Sequence, residues 1–454
     1  MIVLLIQPAF GRKLDRFPTR PPLGLAYLAA SLSKSGYECV IVDERPGTEI
    51  NDLVSKYNPD VIGISVTTWT AKLVLEKVRK IKTSFPSIFC IAGGPHATAM
   101  PAEMLSGGFD AVVHGYGEQA LVDIVKALNN KESLFEIEGI SFIKDEQVFT
   151  NEQKKRKTDL DDLPFPAYDK IELKNYEWCS VSSSRGCPIG CTFCSDSYLF
   201  GRKINLRSAE NFVSELEKLY FNYGVRKFYF VDEQFTFNES RVIEICEKIL
   251  AKGMKIDWMV NSRVDRVTFE MLSSMKKAGC LSIAYGVESG SEKILKTIHK
   301  NIKPEQVINA VTLTKKTGIR AKTSWIVGLP GAISEQVKSI QLMEKALPNH
   351  IDVYWLTIYP GTPFWNNPDQ YGIHFDPNAL PFQANDKLLS KTYWFDYLSK
   401  EEIIEVAQLM TTRMLNLGYK IAGLEENDYD LNSKLIATYL RYLNIPTFSH
   451  ELSK

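Results

Sequence analysis

Short apolar runs alternate with helix-period segments over the first 145 residues. MIVLLI ends at Gln7-Pro8, and residues 22–36 (PLGLAYLAASLSKSG) repeat apolar positions at helical spacing up to Gly36, which suits a helix C-cap. The runs CVIVD (39–43), DVIGISV (60–66), IFCIAGG (88–94) and DAVVHG (110–115) follow, separated by segments of helical period. Continuous apolar strands joined by helices are buried on both faces, so the pattern predicts a doubly wound, Rossmann-like domain of about five parallel strands over residues 1–145. Residues 146–178 break the rhythm with a basic KKRK and an acidic, proline-rich TDLDDLPFPAYD, read as an ordered linker.

A second alternation begins near residue 179. Strands are predicted at 180–184, 227–232, 255–261, 281–287, 320–328 and 352–359, with helices such as AENFVSELEKLYFNYG and RVIEICEKILAKG between them. Such βα units in series predict a partial (β/α)6 TIM-like barrel over 179–380, with ligand groups at the C-terminal strand ends. Beyond residue 380 the strand signal fades, and EEIIEVAQLMTTRMLNLG and LNSKLIATYLRYL predict a small helical region over 381–454. The expected architecture is therefore α/β, with two alternating domains and a helical tail.

Charge narrows the function classes. The 454 residues carry 54 basic and 54 acidic side chains, so nothing in the net charge favours nucleic acid or an anionic membrane as partner. The N-terminal apolar stretch lacks a basic lead, and no run reaches the roughly 18 residues of a membrane span. The chain reads as cytoplasmic, where disulfides are rare and clustered cysteines bind metal or do chemistry.

Three of the eight cysteines fall within SSSRGCPIGCTFCSDS. Cys187, Cys191 and Cys194 are spaced Cys-x3-Cys-x2-Cys in a loop after a strand, with Gly186 and Gly190 allowing a tight wrap. Thiolates hold iron–sulfur clusters, and three leave one iron open for a ligand. A zinc site and unligated thiols are the competing readings, but no second Cys/His pair follows at finger spacing, and free thiols this dense would be an oxidation hazard.

This motif resembles the signature of the radical S-adenosylmethionine superfamily, and the resemblance extends over residues 179–360. It implies a 4Fe–4S cluster on the three cysteines, with S-adenosylmethionine chelating the open iron and cleaved to a 5′-deoxyadenosyl radical. It also implies Phe193 beside the adenine, and Glu288 of GVESGS on the ribose hydroxyls, with Gly286 and Ser289 around it. Gly328 and Pro330 of VGLPG would contact adenine by backbone. Asp232 and Glu233 of FVDEQFTFN and Arg263 of VNSRVD lie at comparable strand ends. Read from the residues alone, GVESGS is also an ordinary strand–helix turn with a capping serine, and the charged residues are also plain caps or ion pairs.

Three loops carry the signal of the first domain: ISVTT (64–68), AGGPHATAMP (92–101) and VVHGYGEQAL (112–121). With RPPLGLAYLAASL and the acidic linker they resemble the cobalamin-binding domain fused to one class of radical S-adenosylmethionine proteins. The resemblance implies that Ser65, Thr67 and Thr68 meet the lower-axial base, that Gly93, Gly94 and Pro95 flank the nucleotide tail, and that Gly115 and Glu118 border the same groove. The Asp-x-His-x-x-Gly cobalt-ligating motif is absent, and His96 and His114 read as hydrogen-bonded structural residues. A nucleotide-binding reading lacks both G-x-G-x-x-G and a Walker lysine; a vestigial domain that binds nothing is the stronger rival.

Together these features imply a cobalamin-dependent radical enzyme that methylates an unactivated carbon of a small-molecule or natural-product substrate. An external electron donor of flavodoxin or ferredoxin type would feed the cluster. A radical cyclase, rearrangement, dehydration or decarboxylation enzyme without methyl transfer is the alternative, and a non-enzymatic iron–sulfur carrier or sensor a third.

Overall fold

The structure, a computed structural model, describes residues 1–9, 20–44, 49–152, 159–375, 393–421 and 447–449. They form two compact units, one of Met1–Val181 with Tyr198–Gly201 and Phe221–Lys227, the other of the remaining described residues. The KKRK run and the predicted helix LNSKLIATYLRYL lie outside the described residues, as does most of the loop after the first strand.

The first unit alternates as its pattern predicts: β1 (Ile2–Gln7), α1 (Leu23–Lys34), β2 (Glu38–Asp43), α2 (Ile50–Tyr57), β3 (Val61–Ser65), α3 (Ala71–Ser84), β4 (Phe89–Gly93), the short α4 (Pro95–Ala99) and α5 (Pro101–Ser106), β5 (Ala111–Val113) and α6 (Glu118–Asn130). The five strands are parallel in the order β2-β1-β3-β4-β5. Continuous apolar strands result because alternate residues feed two cores. Leu4 and Ile6 pack with Val74, Val78 and Ile81 on one face. Val3 and Leu5 pack with Leu25, Leu121 and Ile124 on the other. The strand order reverses between β1 and β3, and ligands of such sheets bind beyond the strands' carboxyl ends at that reversal.

The sheet does not stop at five strands. β6 (Ile140–Lys144) and β7 (Gln147–Asn151) add an antiparallel hairpin beyond β5, so residues 147–151, read as linker, belong to the sheet. The acidic segment after it packs on this unit: Ala167 donates its N–H to Ala26 O at 3.0 Å, and the Tyr176 hydroxyl donates to Asp43 at 2.7 Å.

The strand predicted over 180–184 is split into β8 (Cys179–Val181) and β9 (Ser184–Arg185). The second unit continues with α7 (Asp196–Leu199), β10 (Asn205–Leu206) paired to β9, α8 (Ala209–Asn222), β11 (Lys227–Phe230), α9 (Glu239–Ala251), β12 (Asp257–Ser262), α10 (Phe269–Lys277) and β13 (Cys280–Glu288). Then come α11 (Glu292–Thr297), α12 (Pro304–Lys316), β14 (Arg320–Val327), α13 (Ile333–Ala346) and β15 (His350–Trp355). Strands β12 to β15 pair in parallel, in sequence order, next to β11. Trp258 and Trp325 face the helices, fully buried; the Trp258 ring stacks on Phe230 with centroids 4.7 Å apart.

The end of the barrel region carries a short helix and a strand, and the region over 381–454 is not purely helical, contrary to its pattern, since its described residues contain three short strands. α14 (Pro363–Asn366) precedes a hairpin of β16 (Ile373–Phe375) and β17 (Tyr393–Phe395). After α15 (Lys400–Asn416), β18 (Lys420–Ile421) and β19 (Thr447–Ser449) add antiparallel strands beside β15. Three-residue strands carry too few alternations to register as a period. Among the described residues no helix is long and apolar enough to cross a membrane.

Candidate functional site

The cysteine loop leaves the barrel at β9 and wraps tightly. Gly186 and Gly190 are both left-handed, at φ +83° and +72°. A Cβ on Gly190 would lie 2.6 Å from Arg202 Nε, so the side chain of Arg202 covers the loop only because this residue is glycine. The segment entering the loop is pinned from below. Asp232, at the end of β11 and fully buried, accepts from Ser183 N at 3.1 Å, from Ser183 Oγ at 2.8 Å and from Ser184 Oγ. Burial raises the pKa of the Asp232 carboxyl, and the serine hydrogen bonds oppose that. Arg241 donates to Ser183 O at 2.8 Å, and Arg207, paired with Glu215, donates to Ser182 O at 2.8 Å. Asp232 was expected on the cofactor; its oxygens are instead taken up bracing the chain that presents the cysteines.

The three thiols lie in an unusual polar setting. Cys191 is buried; burial raises its pKa and Lys300 lowers it. Burial and the carboxylate of Glu233 push the Cys194 thiol up to about 12. Gln234, adjacent to Glu233, donates from Nε2 to Cys187 Sγ at 2.8 Å. Three buried polar atoms around the loop have no hydrogen-bond partner: Thr192 Oγ1, Asp196 Oδ2 and Gln234 Oε1. Unmet buried polar atoms each cost about 1–3 kcal/mol, so these three are available to a polar group bound at the loop. Among the described residues, no three His, Cys, Asp or Glu side chains converge on a single ion's position. Three thiols on one loop are the donor set an iron–sulfur cluster with one open iron takes.

Glu233 adjoins Gln234 beside the cysteine loop. Water reaches its side chain, yet surrounding protein together with Asp196 and Asp232 pushes its carboxyl up to about 7. Phe193 is half-buried between two of the cysteines.

The GVESGS segment ends β13 with a backbone irregularity. Glu288 has φ +71°, and the β13–β14 register shifts between Gly286 and Glu288. Its carboxylate accepts from Lys300 Nζ at 3.0 Å. A Cβ on Gly290 would meet Lys338 O at 2.3 Å, which explains that glycine. Ser289 is buried, its hydroxyl accepting from Ser291 N at 3.1 Å, and Ser291 caps α11. These serines build the turn, as the local reading of the segment allows. Arg263, at the end of β12, is buried and clasps Asp265 at 2.8 and 3.0 Å while donating to Lys300 O at 3.0 Å. At the end of β14, Gly328 has φ +91° and its carbonyl accepts from the Tyr397 hydroxyl at 3.1 Å. Leu329 O accepts from Gln336 at 2.7 Å, which fixes the backbone around Pro330. Cys187, Cys191, Cys194, Phe193, Glu233, Arg263, Glu288 and Gly328 therefore gather at the loop and the carboxyl ends of the strands.

Concave-face residues below them are polar. Tyr354 is 48% exposed and donates to Asp352 at 3.2 Å; Tyr229 donates to Asn261 at 2.9 Å. Gln234, Lys300 and Asp352 carry no spacing signal in the sequence and were missed.

The first unit builds a different cradle. Beyond β3 and β4, Val66 N donates to Gly93 O at 2.7 Å and His96 N to Val66 O at 3.1 Å. Gly94 has φ +94°, and a Cβ there would lie 2.9 Å from Val66 O, whereas one on Gly93 would meet nothing within 4 Å. Gly115, after β5, donates its N–H to Thr98 Oγ1 at 3.0 Å, and Thr98 donates to Gly94 O at 2.9 Å. Open space over Gly93, beside an irreplaceable turn at Gly94, fits a large ligand approaching backbone. Two predicted contacts turn inward. Thr67 shares its hydroxyl with Thr70 at 3.1 Å, and the Thr68 hydroxyl meets His96 Nδ1 at 3.2 Å. Ser65 stays half-exposed at the strand end. Pro95 opens α4 and Glu118 opens α6. His96 Nε2 also meets Glu103 at 3.1 Å, and His114 Nε2 meets Ser141 at 2.9 Å, so both rings are held by hydrogen bonds within this unit.

Comparison with known proteins gives the same division. Residues 18–125 match the B12 binding domain model and residues 181–343 the radical SAM superfamily model. An uncharacterized methyltransferase of Pyrococcus horikoshii is 33% identical over 92% of this chain and 90% of its own length. The anaerobic magnesium-protoporphyrin IX monomethyl ester cyclase of Cereibacter sphaeroides is 28% identical over 71% of this chain, which spans 56% of that protein. The fold matches the radical S-adenosylmethionine methyltransferase TsrM of Kitasatospora setae, a structure with cobalamin and a [4Fe-4S] cluster bound, at a TM-score of 0.72 and 15% identity, covering 94% of this chain and 90% of that one. The chain belongs to the radical SAM superfamily, in the class that carries a B12-binding domain ahead of the radical SAM domain.

Proposed function

We propose that the protein is a cobalamin-dependent radical S-adenosylmethionine methyltransferase acting on an unactivated carbon of a small molecule. The observation that carries this reading is the pairing, in one chain, of a thiol loop ringed by unmet polar atoms with a glycine cradle matching a B12-binding domain. When bound, the cluster and S-adenosylmethionine supply reducing power and a hydrogen-abstracting radical, and cobalamin supplies a methyl carrier.

The chain's own residues hold and orient. Cys187, Cys191 and Cys194 would hold the cluster, and the Gln234 amide, which donates to Cys187 Sγ, would steady that sulfur. A hydrogen bond to a sulfur ligand favours the reduced cluster, because it stabilises added negative charge. Glu288, fastened by Lys300, presents its second oxygen to the ribose hydroxyls. Phe193 and the backbone at Gly328 and Pro330 frame the adenine, with Gly286 and Ser289 shaping the turn. Glu233 and Arg263 line the amino-acid end. Tyr354, Asp352, Tyr229 and Asn261 supply a polar floor for the substrate. In the first unit Ser65, Gly93, Gly94 and Gly115 border the cobalamin groove, with Thr67, Thr68, Pro95 and Glu118 shaping it. An external electron donor of flavodoxin or ferredoxin type and a cytoplasmic location complete the reading.

Anaerobically reconstituted protein given S-adenosylmethionine, cobalamin and a reductant is the test. Formation of both 5′-deoxyadenosine and S-adenosylhomocysteine is expected. Deoxyadenosine alone would favour a radical reaction without methyl transfer, a reading supported by the similarity to the cyclase of Cereibacter sphaeroides. Neither product would leave an iron–sulfur carrier.

A further inference from the structure

The loop after α11 reaches three parts of the site at once. Ile298 O accepts from Thr192 N, inside the cysteine loop, at 3.1 Å. Lys300 O accepts from Arg263 Nη2, at the end of β12, at 3.0 Å. Lys300 Nζ donates to Glu288 Oε1, at the end of β13, at 3.0 Å. The loop achieves this with a contorted backbone: His299 and Asn301, on either side of Lys300, sit at φ +54° and +51°. Non-glycine residues rarely hold that conformation unless surrounding contacts dictate it.

Glu288 is equally constrained, with φ +71° at a register shift. A Cβ on Gly286 would stand 2.5 Å from Glu288 Oε1 and 2.9 Å from Lys300 Nζ, so this glycine is the space in which the pair forms. Lys300 and Glu288 are each 8% exposed. Three non-glycine residues in left-handed backbone and the space left by Gly286 thus surround a single buried ion pair. The segment carrying this cation is also bonded to the cysteine loop, through Ile298 O and Thr192 N. Burial alone would lower the Lys300 ammonium, yet Glu288 and the Cys191 sulfur hold it above its ordinary value.

We propose that Lys300 is a positioning residue that sets the electrostatic environment of the iron–sulfur cluster, holding Glu288 in place and cancelling its charge beside the cysteine loop. The inference rests on the reading that Cys187, Cys191 and Cys194 carry a 4Fe–4S cluster. Reduction adds an electron to a group already bearing three thiolates, so a fixed cation nearby favours the reduced form and an uncompensated carboxylate disfavours it. Removing either partner of the pair therefore moves the reduction potential in opposite directions, a signature that structural damage does not produce.

The test uses full-length protein reconstituted anaerobically, with the cluster's midpoint potential followed by electron paramagnetic resonance and S-adenosylmethionine binding by equilibrium dialysis. Lys300→Met should shift the potential to more negative values and weaken S-adenosylmethionine binding at least tenfold. Glu288→Gln should shift the potential to more positive values. Lys300→Arg should keep the wild-type potential and recover most of the binding. Shifts of the same sign in Lys300→Met and Glu288→Gln, or no shift in either, overturn the proposal. If Lys300→Met takes up no iron, Glu288→Gln decides alone, and an unmoved potential there overturns it. Wild-type protein without a 4Fe–4S signal would instead sink the underlying cluster reading; a normal wild-type signal with unmoved variants would sink only the role of Lys300.

Discussion

The two candidate sites are built from opposite materials. The first unit's cradle is built mainly of glycines at strand ends, hydroxyls tied to one another, and backbone amides laced between β3, β4 and β5, with Glu103 and Glu118 at its edge. The second unit's site is dense with buried charge, including Asp232, Arg241, Arg263, Glu288 and Lys300. A backbone-lined cradle recognises a large ligand by shape and backbone approach, and tolerates small side-chain changes where space is open. A buried ionic site orients reacting groups by field, and each charge must be matched or the fold suffers. The contrast teaches that the same strand-end location can be built as a backbone-lined cradle in one unit and as a buried ionic cluster in the other.

The largest expected effect is removal of a cluster ligand. Cys194→Ala should abolish the iron–sulfur absorption and all 5′-deoxyadenosine formation, while cobalamin uptake by the same protein stays near wild type. Loss of cobalamin uptake in that variant would break the comparison, because each site would then depend on the other. Next come two glycines of opposite expectation. Gly290→Ala drives a Cβ to 2.3 Å from Lys338 O, backbone that cannot step aside. It should cost about 1–3 kcal/mol by thermal or urea melting. Gly93→Ala places its Cβ in open space. Its stability should stay within about 0.5 kcal/mol of wild type, while cobalamin affinity measured by optical titration falls. Equal destabilisation by both substitutions would remove the distinction between a packed ionic site and an open cradle.

How much of this is legible in sequence depends on whether a feature is local. The cysteine spacing, the buried strand runs and the Gly93-Gly94 pair are consecutive in the chain and carry their meaning with them. Gln234 and Lys300 become functional only when the fold brings them to Cys187 and Glu288, 47 and 12 residues away. Nothing in their immediate neighbourhood announces that. Asp232 is legible as a strand-end carboxylate, but not its capture by Ser183 and Ser184. The β6–β7 hairpin escaped for a different reason. Its turn places both Asp145 and Glu146 in left-handed backbone, at φ +47° and +63°. Two-residue turns of that type announce themselves through Asn-Gly or Asp-Gly. Asp-Glu gives no such cue, and the strands it joins were divided between domain and linker.

The smallest effect tests the claim that the first unit's histidines are held by hydrogen bonds within the unit. His114 is partly buried and meets Ser141 at 2.9 Å, and burial lowers its pKa despite an opposing hydrogen bond to the Thr98 backbone. In the unfolded chain a histidine takes up its proton near pH 6.5. Below that pH the unfolded state binds more protons than the folded one, so stability is full at pH 7.5 and falls as pH drops through about 6.5. His114→Gln keeps a hydrogen-bonding side chain toward Ser141 but cannot titrate. Thermal melts of both proteins at pH 7.5 and 5.5 separate this residue from the carboxylates, which are common to both. Wild type should lose more stability on acidification than His114→Gln, by under about 1 kcal/mol. Identical losses would mean that His114 keeps an ordinary pKa in the folded protein, and the hydrogen-bonded character of the cradle would lose one of its supports.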